Sequence, residues 1–514
     1  MYEEYRHSPE QRSPRRSLPD TLYYDAPYNL YGIAFSHLPS HANPRVALTS
    51  FISSSASNKI SIIQANSAAS TSKEDFRVLT TASHPYPPTK VGFEPVNPLT
   101  ATASHRGKGS SGDTGGAGNS ELLATTGDLL RIWELQEDWN AVPTSRRIGE
   151  NGQYDSGHHG KEKNPWRDDT GRASFGDDDT NQPGWRLKER SKLSNSKSTA
   201  TKLPPLTSFS WNAFSPSSVV TSSIDTTCTI WDISTSTALT QLIAHDRSVY
   251  DVSFLPMSKD VFVSVGADGS LRAFDLRALE HSTILYETPA AKTASPTLAT
   301  SGHHSRHQAT DSTTSTATAT STPNKPLARI SFSQKEQHYL AIFGFGDTAA
   351  SILDMRNPAV PVAELMGHQK GLSGVAWGCE SRANHGGGGW VATCGDDSQL
   401  LLYDMTTALP YPSSSTTSSA TSSPASTTST SRHGMHDSSS TSTARSSEKS
   451  SKQTGSAGTS GVASPVARQT VKKMPAMAWT TDDGEVNNLA WGKDGDEGAW
   501  IGAVSSKRLT CLRF

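Results

Sequence analysis

Four segments of this chain place an Asp six residues ahead of a pair in which an aromatic residue or Leu is followed by Asp. They are Asp225 before Trp231-Asp232, Asp268 before Phe274-Asp275, Asp347 before Leu353-Asp354, and Asp397 before Tyr403-Asp404. In three of them a hydroxyl residue stands four positions ahead of that Asp: Thr221, Ser264 and Thr393. In two, a His opens the unit: His245 in Ala-His-Asp and His368 in Gly-His-Gln. A pattern that recurs at a fixed internal spacing is the mark of a repeated supersecondary unit, so the chain must stack copies of one small element.

The residues between the marks identify that element. Val261-Phe262-Val263-Ser264-Val265 is β-branched and aromatic, and so predicts a strand. Ala267-Asp268-Gly269 supplies a tight-turn pair, and Ser270-Leu271-Arg272-Ala273-Phe274 returns as the next strand. The turn Asp would be costly to bury as a bare charge. A His245 imidazole can donate to it while the Ser264 hydroxyl shares the other ring nitrogen. Trp231 can close such a network through its indole N–H, whereas Phe274 cannot donate and Tyr403 can do so only through its O–H. These are the marks of WD repeats, the four-stranded blades of a β-propeller. A His beside an Asp could also be a catalytic dyad. Repetition favours a structural clamp, because a catalytic group is needed once and a clamp once per blade.

Blade ends can be placed at Ile62-Ile63-Gln64, Ile132-Trp133-Glu134, Trp231-Asp232, Phe274-Asp275, Leu353-Asp354, Tyr403-Asp404 and Leu512-Arg513-Phe514. The fold expected is therefore all-β: a seven-bladed WD-repeat β-propeller with long disordered insertions. Residues 1–19 read as a disordered tail and 20–514 as one propeller, interrupted at 96–119, 137–203, 288–326 and 409–472. These stretches are rich in Ser, Thr, Gly or charge and too poor in apolar residues to offset the entropy of ordering. Without them about 43 residues remain per blade, within the roughly 40–45 of this repeat. The chain ends on a third strand, Lys507 to Phe514, so the fourth strand of that blade is expected from the N-terminal side near Leu22-Tyr23-Tyr24.

Composition narrows the function. A net charge of −2 gives no basic field over the chain, which argues against direct nucleic-acid binding. No apolar run has the length of a membrane-spanning helix, and the N-terminus lacks the apolar core of a signal peptide. Cys228, Cys379, Cys394 and Cys511 show no CxxC pairing and read as reduced, mostly buried thiols of an intracellular protein; nucleus and cytoplasm are the compartments expected. Arg12-Ser13-Pro14-Arg15-Arg16-Ser17 is a basic Ser-Pro patch that reads as a solvated tail or a modification element. His303, His304 and His307 sit in a low-complexity tract without Cys or carboxylates at ligand spacing, so no metal and no cofactor is expected. P-loop, Gly-x-Ser-x-Gly, His-Glu-x-x-His and kinase signatures are absent, and Gly344-Phe345-Gly346 falls in a hairpin; a non-enzyme is expected.

Several stretches go beyond a generic repeat. They are Tyr24-Asp25-Ala26-Pro27-Tyr28, His84-Pro85-Tyr86-Pro87-Pro88-Thr89-Lys90, and the runs 221–231, 242–254, 263–287 and 484–491. Together they resemble the Transparent Testa Glabra class of WD-repeat scaffolds, whose animal members are described as DDB- and cullin-associated factors. The resemblance is dense from 204 to 287 and patchy elsewhere. It implies a non-catalytic scaffold for MYB and basic helix-loop-helix transcription regulators, or for dual-specificity Tyr-regulated and homeodomain-interacting kinases. It implies, as an alternative, a substrate receptor of a cullin-RING ubiquitin ligase. Phe274-Asp275-Leu276-Arg277 and Leu353-Asp354-Met355-Arg356 resemble the box by which such propellers dock on the DDB adaptor, which makes Arg277 and Arg356 candidate adaptor contacts; a salt bridge to a neighbouring blade is the other reading. Tyr28 and Tyr86, beside prolines in family-like segments, are candidate partner anchors, with core packing as the competing role. The chain departs from the pattern in its long Ser/Thr-rich insertions and in blade 5, where Phe343 and Leu353 replace network residues.

Overall fold

The computed structural model describes residues 21–37, 43–53, 57–66, 73–97, 120–138, 184–194, 203–289, 324–334, 337–378, 389–405, 470–494 and 498–514. In chain order, β1 is Thr21–Asp25. Blade 1 follows as β2 (Leu30–Phe35), β3 (Arg45–Ser50), β4 (Asn58–Ala65) and β5 (Phe76–His84). Blade 2 is β6 (Lys90–Phe93), β7 (Glu121–Thr126), β8 (Leu130–Asp138) and β9 (Gly184–Leu193). Blade 3 is β10 (Leu206–Trp211), β11 (Ser218–Ser223), β12 (Thr227–Asp232) and β13 (Thr237–Ile243). Blade 4 is β14 (Val249–Phe254), β15 (Val261–Gly266), β16 (Ser270–Asp275) and β17 (Ser282–Glu287). Blade 5 is β18 (Leu327–Phe332), β19 (Tyr339–Gly344), β20 (Ala350–Asp354) and β21 (Ala363–Leu365). Blade 6 begins with β22 (Leu372–Trp377), β23 (Trp390–Gly395) and β24 (Gln399–Asp404). The chain then adds β25 (Val471–Lys473) in parallel to the outer edge of blade 5 before β26 (Met477–Thr480) completes blade 6. Blade 7 is β27 (Val486–Asp494), β28 (Gly498–Ser505) and β29 (Arg508–Arg513), with β1 as its fourth strand.

The seven sheets bear out the all-β, seven-bladed reading. The closure expected from the N-terminal side is present: β1 pairs antiparallel with β29, Leu22 opposite Cys511. First strands of consecutive blades lie against one another around the whole ring, from β2 on β6 to β27 on β2. The core lies between blades. Val220, Ile230 and Cys228 of blade 3 pack on Val252, Phe254 and Phe262 of blade 4. Val263, Val265 and Leu271 of blade 4 in turn pack on Ile330, Phe332 and Leu340 of blade 5. Each blade buries both faces, so its middle strands are nearly continuous apolar runs.

Three expected insertions are narrower than their composition suggests. β9 falls inside 137–203, β25 inside 409–472, and Thr288 with Asn324, Lys325 and Pro326 inside 288–326 is ordered. β9 reads Gly-Trp-Arg-Leu-Lys-Glu-Arg-Ser-Lys-Leu; it buries Leu187 and Leu193 and exposes most of the charges between. An outermost strand has one neighbour and meets solvent, so a few apolar contacts suffice and its composition resembles that of a loop. The His tract 303–307, the basic patch 12–17 and Cys379 lie outside the described residues.

Candidate interaction surface

The repeated networks form at the ends of the strands, where the connection into each blade meets the turn between its second and third strands. In blade 4 the Asp268 carboxylate oxygens lie 3.0 Å from His245 Nδ1, and Ser264 Oγ lies 2.7 Å from Nε2. A carboxylate only accepts, so Nδ1 carries the proton and Nε2 accepts from the hydroxyl. Ser270 Oγ donates to Asp268 as well, and Arg272 reaches it at 3.1 Å. Blade 6 repeats the geometry, with His368 Nδ1 2.9 Å from Asp397 and Nε2 2.8 Å from Thr393 Oγ1. Burial alone would raise both carboxyls. The His bonds, with Ser270 in one blade and the Gln369 N–H in the other, outweigh it and hold Asp268 and Asp397 below the ordinary range. The aromatic substitutions act as their chemistry dictates. Phe274 stacks on Phe262 with centroids 5.0 Å apart, and the Tyr403 O–H donates to the Met366 carbonyl at 3.0 Å.

Blade 3 keeps only half of the network. Trp231 Nε1 donates to Thr221 Oγ1 at 2.8 Å, while among the described residues the Asp225 carboxylate accepts only from Thr227, through its N–H and Oγ1. Blade 2 holds a network that the spacing scan missed. His84 Nε2 lies 3.1 Å from Thr125 Oγ1, and Trp133 Nε1 donates to the same hydroxyl at 2.9 Å. Its turn is two residues shorter and its Asp128 pairs with Arg131, so the six-residue rule cannot find it. Burial pushes the His84 imidazole down to about 4, even though the Tyr86 carbonyl accepts its Nδ1 proton. A signal was available in the glycine two residues past each hydroxyl. A Cβ on Gly266 would stand 3.0 Å from the His245 ring and one on Gly395 3.1 Å from His368 Nδ1. Gly127 occupies the same place beside His84. In blade 5 Phe343 and Leu353 are core residues, and Asp347 binds the Gly344 N–H at 2.6 Å and the Lys325 ammonium.

Among the described residues, each candidate adaptor arginine pairs with an Asp of its own blade. Arg277 forks onto Asp275 two residues earlier, Nε 2.8 Å from Oδ1, and its side chain is 68% exposed. Arg356 does the same to Asp354, with Nε at 2.9 Å, and also lies over the Tyr339 ring. The hydrogen bonds from Arg277 hold Asp275 down at about 2. Of the candidate anchors, Tyr28 is half-buried with its hydroxyl 2.5 Å from Ser61 Oγ and packs on the core of blades 1 and 7. Tyr86 is half-buried beside Gly127.

The first strands of six blades carry a bulge at their second residue, for example between Val249 and Asp251 and between Leu327 and Arg329. A bulge re-aims the side chain that follows it. The bulged residues also clip one blade to the next. Thr207 Oγ1 donates to the Val249 carbonyl at 2.7 Å, and Ser373 donates likewise to the Val486 carbonyl. Inside this ring, bonds connect blades that are not neighbours. Arg329 of blade 5 donates to the Tyr31 hydroxyl of blade 1 at 3.0 Å, and Lys90 of blade 2 lies 3.4 Å from Asp251 of blade 4. Asp251 is buried and also accepts from Ser208 Oγ at 2.5 Å and from the Ile330 N–H at 3.0 Å. Burial would raise its carboxyl, but the charges of Lys90 and Arg329 bring it below the ordinary range. These side chains belong to five different blades, so no local motif announces them.

At the same end of the ring two aromatic pairs stand open. Tyr31 meets Phe51 with centroids 5.0 Å apart, and Tyr250 meets Phe345 edge-on at 4.9 Å. Phe51 is 42% and Phe345 54% exposed, both on turns between second and third strands. Rigid aromatic side chains on short turns around a fixed frame offer contact area at little entropic cost. Burial raises the thiols of Cys228, Cys394 and Cys511, which makes them inert packing groups. Among the described residues no cluster of His, Cys, Asp or Glu has the arrangement of a metal site.

Comparison with known proteins adds an independent view. The model of the WD domain, G-beta repeat, matches residues 236–275 and 359–404. The chain is 33% identical over 391 residues to the DDB1- and CUL4-associated factor 7 homolog of Dictyostelium discoideum, covering 76% of this chain and 85% of that protein. It is 31% identical over 313 residues to a WD repeat-containing protein of Saccharomyces cerevisiae, covering 60% of this chain and 53% of that one. An uncharacterized WD repeat-containing protein of Schizosaccharomyces pombe is 40% identical over 215 residues, 42% of this chain and 44% of its own length.

Proposed function

We propose that this chain, which belongs to the WD-repeat family of the DDB1- and CUL4-associated factor 7 homolog, is a non-catalytic scaffold that holds protein partners on the face bearing its His–Asp networks. The observation that carries this reading is the pair of open aromatic couples, Tyr31–Phe51 and Tyr250–Phe345, on a rim stiffened by bonds across the ring. The polar side chains inside the ring satisfy one another, which suits a frame better than a reaction site. Kinases of the dual-specificity Tyr-regulated type and transcription regulators are the partner classes to test, with nucleus and cytoplasm as the compartments. With a net charge of −2, binding should rest on buried anchors and tolerate salt. The test is a pull-down of such a kinase by wild type and by a Phe51→Ser/Phe345→Ser double variant. Retention by wild type at 0.3 M salt, about tenfold weaker in the variant at unchanged Tm, supports the reading. Equal retention by both moves the binding face elsewhere.

A second reading, a substrate receptor of a cullin-RING ligase, is favoured by Arg277 and Arg356. Each is held by its own Asp in one pose on the opposite rim, so docking there would need little further ordering of the side chain. A double Arg→Ala change should abolish co-purification of the DDB1 adaptor at unchanged stability. Undiminished adaptor capture by the double variant removes this reading.

A further inference from the structure

Strand register aligns blade 3 with the two blades that carry a complete His–Asp network. Leu206 pairs with Ser223 as Val249 pairs with Gly266 and Leu372 with Gly395. On that alignment Thr221, Asp225 and Trp231 of blade 3 correspond to Ser264, Asp268 and Phe274 of blade 4. Beside Asp225 and Trp231 of blade 3 lies a cavity of about 240 Å³. One wall is polar, with Asp225, Thr229 and Gln241, and the other is apolar, with Leu129, Leu193 and Leu203. Both bonds that the Asp225 carboxylate accepts among the described residues, from Thr227 N and Oγ1, end on Oδ1, and Oδ2 accepts nothing there.

We infer that this cavity is a binding site for an arginine side chain carried by a protein partner. The inference rests on the scaffold reading above and gives it a chemical class of ligand. Three observations select arginine. An acceptor-only carboxylate with an unused oxygen calls for a cationic donor. A His seated as in blade 4 is disfavoured, because Ser223 brings a Cβ to the place where one on Gly266 would stand 3.0 Å from the imidazole. The cavity's apolar wall suits a long methylene stem, and a planar guanidinium can address the carboxylate and neighbouring hydroxyls together where an ammonium cannot.

The test uses the full chain with acetyl-arginine amide at millimolar concentration, followed by saturation transfer to the probe's methylene protons. Transfer is expected with the arginine probe and not with its uncharged citrulline counterpart, and should weaken at least tenfold in Asp225→Asn. Lys202 stands four residues ahead of Leu206, as His245 stands ahead of Val249 and His368 ahead of Leu372. Lys202→His combined with Ser223→Gly, which removes the Cβ that disfavours the imidazole, should therefore compete with the probe and weaken its binding. Equal transfer to arginine and citrulline, or no effect of Asp225→Asn, overturns the inference. So does binding that appears only in Lys202→Ala, which would assign the site to this chain's own lysine. Kinase retention in the pull-down without transfer to the arginine probe overturns this inference alone and leaves the scaffold reading standing.

Discussion

Blades 3 and 4 are neighbours built on the same four-strand register, yet they hold their strand ends together by different means. In blade 4 a buried imidazole ties a carboxylate, two hydroxyls and an arginine into one unit, with Asp268 at its centre. In blade 3 the Trp231–Thr221 bond is not joined to a carboxylate, and among the described residues Asp225 serves only its own turn. Both blades have equally buried middle strands, such as Val219 and Val220 against Val263 and Val265. The comparison teaches that the polar network is a specificity and stiffness device laid over a core that hydrophobic packing already holds. Where the network is incomplete, the blade survives and a cavity lies beside it.

The largest expected effect comes from removing the centre of the complete network. Asp268→Ala leaves the His245 Nδ1–H, the Ser270 hydroxyl and Arg272 without their shared acceptor and should cost about 3 kcal/mol. Asp225→Ala, the matched change in blade 3, should cost no more than about 1 kcal/mol, since the two bonds lost lie within one turn at a partly exposed site. Urea unfolding of the two variants side by side gives both numbers. Equal losses would break the distinction between the blades.

Acid separates the His of blade 2 from the carboxylates of blades 4 and 6. His84 titrates near 4 in the folded chain against an ordinary 6.5. The unfolded chain therefore takes up a proton that the folded chain refuses, and stability falls as pH drops below 6.5. Between pH 7 and pH 5 the loss from this group should be about 2 kcal/mol, at 1.36 kcal/mol per unit of differential protonation. His84→Gln should flatten that part of the stability–pH curve. The depressed carboxyls of Asp268 and Asp397 act in a lower window: their contribution is complete above the ordinary 3.8 and is lost as pH falls through their folded values. A curve unchanged by His84→Gln would mean that the blade 2 imidazole is not held neutral by burial.

A third pair of changes sharpens the comparison at the aromatic position. Trp231→Phe deletes the bond to Thr221 and part of a buried indole, for about 2 kcal/mol. Phe274→Trp in blade 4 would place an indole near Ser264, whose oxygen donates to the imidazole and can still accept the indole N–H as Thr125 does in blade 2, so a gain of up to about 1 kcal/mol is expected. Thermal unfolding of both variants measures the difference.

Much of this architecture was readable in residue order because its determinants repeat locally. Alternation, Asp-containing turns and the Thr221–Asp225–Trp231 spacing each lie within a dozen residues, so blade type, blade number and the borrowed strand near Leu22 followed from them. The same locality explains the misses. His84 and Thr125 are brought together across an insertion and a shortened turn, and the spacing rule carries no term for either. β9 and β25 were hidden because outer strands need little apolar surface.

What the sequence alone determined is the unit: a four-stranded blade repeated seven times, with a polar clasp in some of its copies, because hydrophobic period and turn chemistry act over short range. What only the tertiary structure decided is everything made by closing the ring. Tyr31 meets Arg329 and Lys90 meets Asp251 because bulges turn side chains of distant blades toward one another, and the blade 3 cavity lies where apolar side chains of its neighbour face the polar ends of its own strands. Such pairings depend on where whole blades sit, and the free energy that places the blades is spread over the apolar layers between them.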